Sequence, residues 1–148
     1  MISKTSDVTI RQAASADAAS LAVLSTQLGY PVTTAQTLER LEKIEQEREH
    51  QVFVAELSGQ VVGWVEVYAR TILVADDVAE IEGLVVDDGV RGRGIGKIMM
   101  AFAETWASEH GCSHVYLRSN VIRDAAHRFY EGLGYHHIKT QKAFLKKL

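Results

Sequence analysis

The chain has 148 residues, enough for one domain with a core that stands alone. Its 47% hydrophobic and 24% charged residues suit a soluble globular protein, and sixteen basic against nineteen acidic side chains leave a net charge of −3. That balance argues against general nucleic-acid or membrane-surface binding, and the longest apolar run, residues 98–103, is far too short for a membrane span. "MISKTSDVTI" lacks the basic-then-apolar layout of a signal peptide. The lone cysteine, Cys112, has no partner for an internal disulfide and fits a reducing cytoplasm. No linker, repeat or low-complexity segment is visible, so the expectation is a single domain over 1–148.

"VTIRQA" reads as a first strand. Ser15 then caps a helix carrying Leu21, Leu24 and Leu28, closed by Gly29. After Pro31, Thr33 and Gln36 have capping-box spacing, and Leu38, Leu41 and Ile44 stripe a second helix. "QVFVAEL" and "QVVGWVEVYA" are β-rich runs joined by Ser58-Gly59, a hairpin signal, and "AEIEGLVV" is a further strand. Ile98, Met99, Phe102 and Trp106 recur at helical spacing until His110-Gly111. "SHVYLRS" returns to strand, "DAAHRFYEG" is a short helix, and "YHHIKTQKAFLKKL" is a closing extended segment. The order β-α-α-β-β-β-α-β-α-β predicts an α/β (α+β) domain with a mixed sheet, antiparallel in front with a βαβ unit behind.

The chemistry concentrates in "VRGRGIGK", residues 90–97, between a strand and a helix. A Walker loop needs G-x-x-x-x-G-K-[ST], but Arg91 replaces its first glycine and Ile98 its hydroxyl. A dinucleotide fingerprint needs G-x-G-x-x-G directly after a strand, and a kinase glycine loop leads into a strand. Neither fits. What remains is R-G-x-G-I-G opening a helix, whose unpaired N–H groups and dipole form an anion site.

This segment resembles the GCN5-related N-acetyltransferase (GNAT) superfamily, small single-domain type. Arg91, Gly94 and Gly96 match its acetyl-CoA signature Q/R-x-x-G-x-G/A, and "HRFYEGLGY" is similar to its second acetyl-CoA segment. The resemblance implies acetyl-CoA as cosubstrate, with no metal. It implies that the pyrophosphate rests on the loop Arg91, Gly92, Arg93, Gly94, Ile95, Gly96 and Lys97. It implies that pantetheine pairs with the backbone of Leu84, Val85 and Val86. Gly83 either eases a bulge that opens this slot or permits close packing.

Acetyl transfer must first free an amine lone pair. At a pKa of about 10.4 this costs roughly 4.6 kcal/mol at pH 7. Glu80 and Glu82 lie two apart on a strand, sharing a face with Leu84 and Val86, and are the candidate bases. The other reading of both is a cation-binding or solvated face. Glu80 falls where several members of the resembled family keep a catalytic glutamate. The family match also makes Tyr130 the acid for the departing thiolate, against a core aromatic as the alternative, with an oxyanion donor in a backbone N–H near Leu84. Many relatives have an asparagine seven residues before that tyrosine. Here Arg123 stands there and Asn120 lies ten before, so Ser119, Asn120 and Arg123 are cofactor-contact candidates only.

His136 and His137 point opposite ways on an extended segment, and Gly111 breaks any face shared by His110 and His114, so no metal site is expected. Cys112 reads as a small buried residue rather than a nucleophile. Asp76, Asp77, Glu80 and Glu82 read either as a hint of a small cationic amine acceptor or equally as a solvated acidic loop, and "QLGYPVTT" is similar to aminoglycoside-type enzymes. The competing expectations are a peptide or protein amine, and a non-catalytic CoA-binding sensor. A homodimer is expected at family level.

Overall fold

The computed structural model describes residues 7–148, so residues 1–6 of the leader reading lie outside the described residues. Two compact units divide the chain, Met1–Leu117 and Arg118–Leu148.

The first unit holds β1 (Val8–Gln12), a 3-10 turn (Ser15–Asp17), α1 (Ala18–Leu28), α2 (Thr34–Glu45), β2 (His50–Leu57), β3 (Gln60–Arg70), β4 (Val78–Val86), a second 3-10 turn (Asp88–Val90), α3 (Ile95–Glu109) and β5 (His114–Leu117). The strands form one sheet in chain order. β1 to β4 pair antiparallel, and β5 pairs parallel to β4 after the α3 crossover. The mixed sheet, antiparallel in front with a βαβ unit, is as expected.

Local chemistry sets these elements. Ser58 and Gly59 both take positive φ, 52° and 78°, the twist a two-residue hairpin between right-handed strands requires. The Thr33 hydroxyl accepts from the Gln36 amide at 3.1 Å, and Gln36 Oε1 accepts from the Thr33 amide at 3.0 Å. Ser15 does not cap the first helix. A tight turn precedes α1, and Asp17 Oδ2 instead accepts from the Ala14 amide at 2.7 Å while Arg11 holds both Asp17 oxygens at 2.8 and 2.9 Å.

Side chains alternate across the sheet. On one face Val52 and Val54 pack with Ala18, Leu21 and Leu41, flanked by Leu38, Ile44 and Trp64. On the other, α3 covers β3 and β4 through Ile95, Met99, Met100 and Ala103, and Phe53 meets Phe102 edge-on at 6.3 Å. Burying these side chains contributes about 1.5–3 kcal/mol for each large one. Phe102, expected in the buried stripe, is 45% exposed, and Met100 and Ala103 fill the face instead.

The second unit contains α4 (Asp124–Gly132), with the bounds expected from its sequence. The closing strand expected over 135–148 is not formed; these residues belong to no helix or strand. Ile138, Phe144, Leu145 and Leu148 are irregularly spaced among four lysines and stay exposed. With no alternating face to bury, a fixed register gains nothing.

Asp17 has its pKa lowered, first by the Arg11 hydrogen bonds, against the cost of burial. A lowered carboxylate pKa gives stability that is present above the unfolded value of 3.8 and lost as pH falls through the folded one. Asp17→Asn should therefore lower unfolding free energy at pH 7 by about 1.5–3 kcal/mol. Urea titrations should show the gap to wild type closing as pH drops below that value.

Candidate active site

β4 carries the candidate chemistry and departs from a regular strand. Opposite β3, Glu66 faces Gly83 and Val67 faces Ile81, so Glu82 is an extra residue, a bulge. One extra residue shifts the side-chain alternation by one. Glu80 pairs with Tyr68 on the α1/α2 face, whereas Leu84 pairs with Val65 and Val86 with Gly63 on the α3 face. The expectation that Glu80 and Glu82 share a face with Leu84 and Val86 is thus corrected, because no bulge entered that count.

Of the two roles considered for Gly83, close packing is the one its surroundings show. It adjoins the bulge, and a Cβ there would lie 2.5 Å from Trp64 Cη2 and 2.6 Å from Cζ3. The indole covers the glycine backbone, and its Nε1 is buried without a hydrogen-bond partner among the described residues.

β5 pairs only with Val78 to Ile81 of β4. From residue 82 to 86 the outer edge of β4 has no strand beside it among the described residues. Leu84, Val85 and Val86 therefore lie where an extended ligand arm can add main-chain hydrogen bonds.

β4 then runs into the glycine loop. Gly92 and Gly94 have φ of 79° and 80°, conformations in which a Cβ would clash with its own backbone. Nothing lies within 4 Å of a Cβ built at Gly92. Gly94 is the N-cap of α3 and offers no side-chain cap, so the first-turn amides of Ile95, Gly96 and Lys97 have no intrahelical acceptor. Backbone, charge and space suit a pyrophosphate. Arg91 is not extended from this loop: its Nε donates to the Val86 carbonyl at 3.1 Å and Nη2 pairs with Asp88 at 2.8 Å. Arg93 and Lys97 sit on either side of the helix start.

Sequence reasoning missed the anchor of this loop. Gln27, near the end of α1, donates from Nε2 to Asp87 Oδ1 at 2.8 Å and accepts from the Asp88 amide at 3.0 Å. Asp87 also accepts from the Gly89 amide at 3.2 Å.

Around the two candidate bases stand charged groups the sequence reading also missed. Glu80 is only 5% exposed. Arg70 approaches Glu80 at 3.5 Å and Glu82 at 3.2 Å. His50 Nε2 meets Glu66 Oε1 at 2.7 Å, and its ring packs edge-on to Tyr68 at 4.6 Å. Burial opposes a charged imidazole there, yet the Glu66 hydrogen bond and the charges of Glu66, Glu47 and Glu82 raise its pKa. Glu47 raises the Tyr68 pKa by its charge and a hydrogen bond, with Arg70 opposing. Strict alternation in "GWVEVYAR" puts Trp64, Glu66, Tyr68 and Arg70 on one face, and could have exposed this group.

The second unit carries Tyr130, Asn120 and Arg123. Burial raises the Tyr130 pKa, against the charge of Arg123. Its ring meets Phe129 and Tyr135 edge-on at 5.2 and 6.0 Å. Asn120 Oδ1 accepts from the Ile122 amide at 3.2 Å, and its carbonyl lies 2.9 Å from His127 Nε2, so it is committed to its own turn. Arg123 is the N-cap of α4. Ser119 Oγ is buried without a partner among the described residues.

Among the described residues no three His, Cys, Asp or Glu side chains are grouped to hold a metal ion, and no helix is long and apolar enough to cross a membrane. Cys112 is half-buried, and burial raises its pKa, helped by Asp77, as suits an unreactive thiol.

An open strand edge thus leads through a glycine loop into an uncapped helix start. The family model for the acetyltransferase (GNAT) family matches residues 20–135, and the chain belongs to that family. It is 33% identical over 132 residues to an aminoglycoside N(6')-acetyltransferase type 1 of Stenotrophomonas maltophilia, covering 86% of this chain and 85% of that protein. It is 36% identical over 86 residues to the N-acetylaspartate synthetase of Rattus norvegicus, covering 58% of this chain. The match spans only 28% of that longer protein. A solved structure of aminoglycoside N-acetyltransferase AAC(6')-Iy in complex with CoA superposes with a TM-score of 0.85 at 21% identity, covering 95% of each chain.

Gly83→Ala should lower unfolding free energy by about 1–3 kcal/mol, since the new methyl overlaps the indole. Adding Trp64→Phe, which shortens the ring, should recover part of the loss in the same urea titrations.

Proposed function

We propose that the chain, as one N-acetyltransferase domain over 1–148, transfers acetyl to a primary amine of a small cationic acceptor by direct attack in a ternary complex. One observation carries this reading: β4 holds the buried carboxylate of Glu80 just before its outer edge opens, then leads into the uncapped start of α3. The acidic groups Glu47, Glu66, Glu80 and Glu82 on that side support a cationic acceptor, as does the likeness to an aminoglycoside acetyltransferase.

Acetyl-CoA supplies a thioester activated for acyl transfer. The amides at 92–97 and the residues Arg91, Arg93 and Lys97 hold its pyrophosphate, and the backbone of Leu84, Val85 and Val86 holds its arm. Arg91 acts by fixing the loop through Val86 and Asp88. Asn120 shapes the turn entering α4, and Arg123 adds positive charge there. Glu80 takes the ammonium proton, directly or through a water, with Glu82 completing the negative field. The Leu84 N–H is the donor to the developing oxyanion. Tyr130, kept protonated by its raised pKa, returns a proton to the departing sulfur. The working form is a cytoplasmic homodimer, and sedimentation showing only monomer would dispose of the dimer.

The test is thiol release from acetyl-CoA across polyamines, aminoglycosides, amino acids and short peptides. Turnover is expected with a cationic small amine, falling about 10²- to 10⁴-fold in kcat for Glu80→Gln, with a fall also in Tyr130→Phe. Turnover confined to peptides would transfer the reading to a protein acceptor. CoA binding without turnover across the panel would leave a sensor.

A further inference from the structure

Arg70 is the last residue of β3 and its guanidinium is enclosed on three sides. Nη2 donates to Glu82 Oε1 at 3.2 Å, Nη1 lies 3.5 Å from Glu80 Oε1, and Cζ stands 5.6 Å from the centre of the Tyr68 ring. Two carboxylates and an aromatic face are what an organic ammonium ion requires: charge-assisted acceptors and a negative π surface. The protein fills this position with a cation of its own.

A second arginine on the same sheet face shows what a permanent clamp looks like. Arg11 also lies between two carboxylates, but with three contacts of 2.8 to 2.9 Å to Asp17 and Glu56. Its role is to join β1, β2 and the turn before α1. The Arg70 contacts are longer, and its side chain is 42% exposed. Its backbone pairs with Val78 at the last rung of the β3–β4 ladder, and residues 71–77 beyond carry no helix or strand. The side chain can therefore leave without breaking a hydrogen-bonded rung, and a half-exposed pair of this kind is held weakly enough to exchange.

We propose that Arg70 is an intramolecular occupant of the acceptor's ammonium position between Glu80, Glu82 and Tyr68, displaced when a cationic amine binds. This rests on the reading of the Glu80 side as the acceptor side. The device has a chemical consequence. An acceptor must bring enough positive charge to replace a guanidinium, so the site favours polycations over amines bearing one charge and over amines bearing an acid group. Without an acceptor, Arg70 supplies positive charge beside the two carboxylates. The apparent dissociation constant is the intrinsic one divided by the fraction of molecules in which Arg70 has left the position.

The test is calorimetric titration of spermidine into the full chain in the presence of CoA, for wild type, Arg70→Gln and Arg70→Lys. Removing the occupant should tighten spermidine binding about two- to fivefold in Arg70→Gln. Arg70→Lys, which keeps a cation on a shorter arm, should stay within about twofold of wild type. Unchanged or weaker binding in Arg70→Gln overturns the proposal, as does absence of spermidine binding in all three proteins. Loss in Arg70→Gln of binding to β-alanine, an amine with a carboxylate, would make Arg70 an anion anchor and overturn it too. The two readings fail separately. Tighter binding in Arg70→Gln with undiminished thiol release in Glu80→Gln would leave the occupant standing and remove Glu80 as base; the reverse pair of results would do the opposite.

Discussion

The site depends on one residue too many in β4. Opposite residues 63–70 of β3, Glu82 has no partner of its own, and the strand beyond it is turned over by one position. The candidate base Glu80 consequently belongs to the face covered by α1 and α2, while Leu84 and Val86 belong to the face covered by α3. A regular strand of this composition would have put carboxylates and apolar residues on one surface and exposed or buried them together. The bulge keeps Leu84 and Val86 among apolar neighbours while the acidic side chains gather elsewhere, and Trp64 over Gly83 fills the space the distortion leaves.

Most of the fold was legible because its signals are local. The capping box at Thr33 and Gln36, the Ser58-Gly59 hairpin and the bounds of α4 each follow from residues a few positions apart. The glycine loop was equally readable, since its spacing encodes positive φ and an uncapped helix start within a single segment. What escaped depends on pairing between distant strands. No feature within "AEIEGLVV" announces that Glu82 is supernumerary; that emerges only against β3. The final strand failed for the opposite reason: β-compatible residues were present at 135–148, but no alternating face set a register for them. Ser15 gives no cap; Asp17, held by an arginine six residues upstream on β1, instead ties the turn by accepting from the Ala14 amide.

The candidate site was legible in its types and less so in its assembly. Glu80, Glu82 and the glycine loop lie on β4 and the segment it feeds, as read. Arg91 turned inward to Val86 and Asp88, which shifts the positive charge available at the helix start toward Arg93 and Lys97. The larger omission was β3. Glu66, Tyr68 and Arg70 line the acidic group's surroundings together with His50, which joins from β2 through Glu66. A carboxylate read in isolation suggests a base; the same carboxylate beside an arginine, a histidine and a phenol belongs to a field in which each charge sets the others.

Gln27 spends both ends of its amide on the turn that opens the glycine loop, giving a hydrogen to a carboxylate and taking one from a backbone amide. No charged side chain can copy that exchange, because an acid lacks the donor and a base lacks the acceptor. The Gln27 amide itself carries no charge. It also acts as a length gauge, since residues added between Val86 and Asp88 would move one of its two partners out of reach. Diversification of such a protein is thus channelled away from this turn and toward segments outside helix and strand, such as residues 71–77 between β3 and β4.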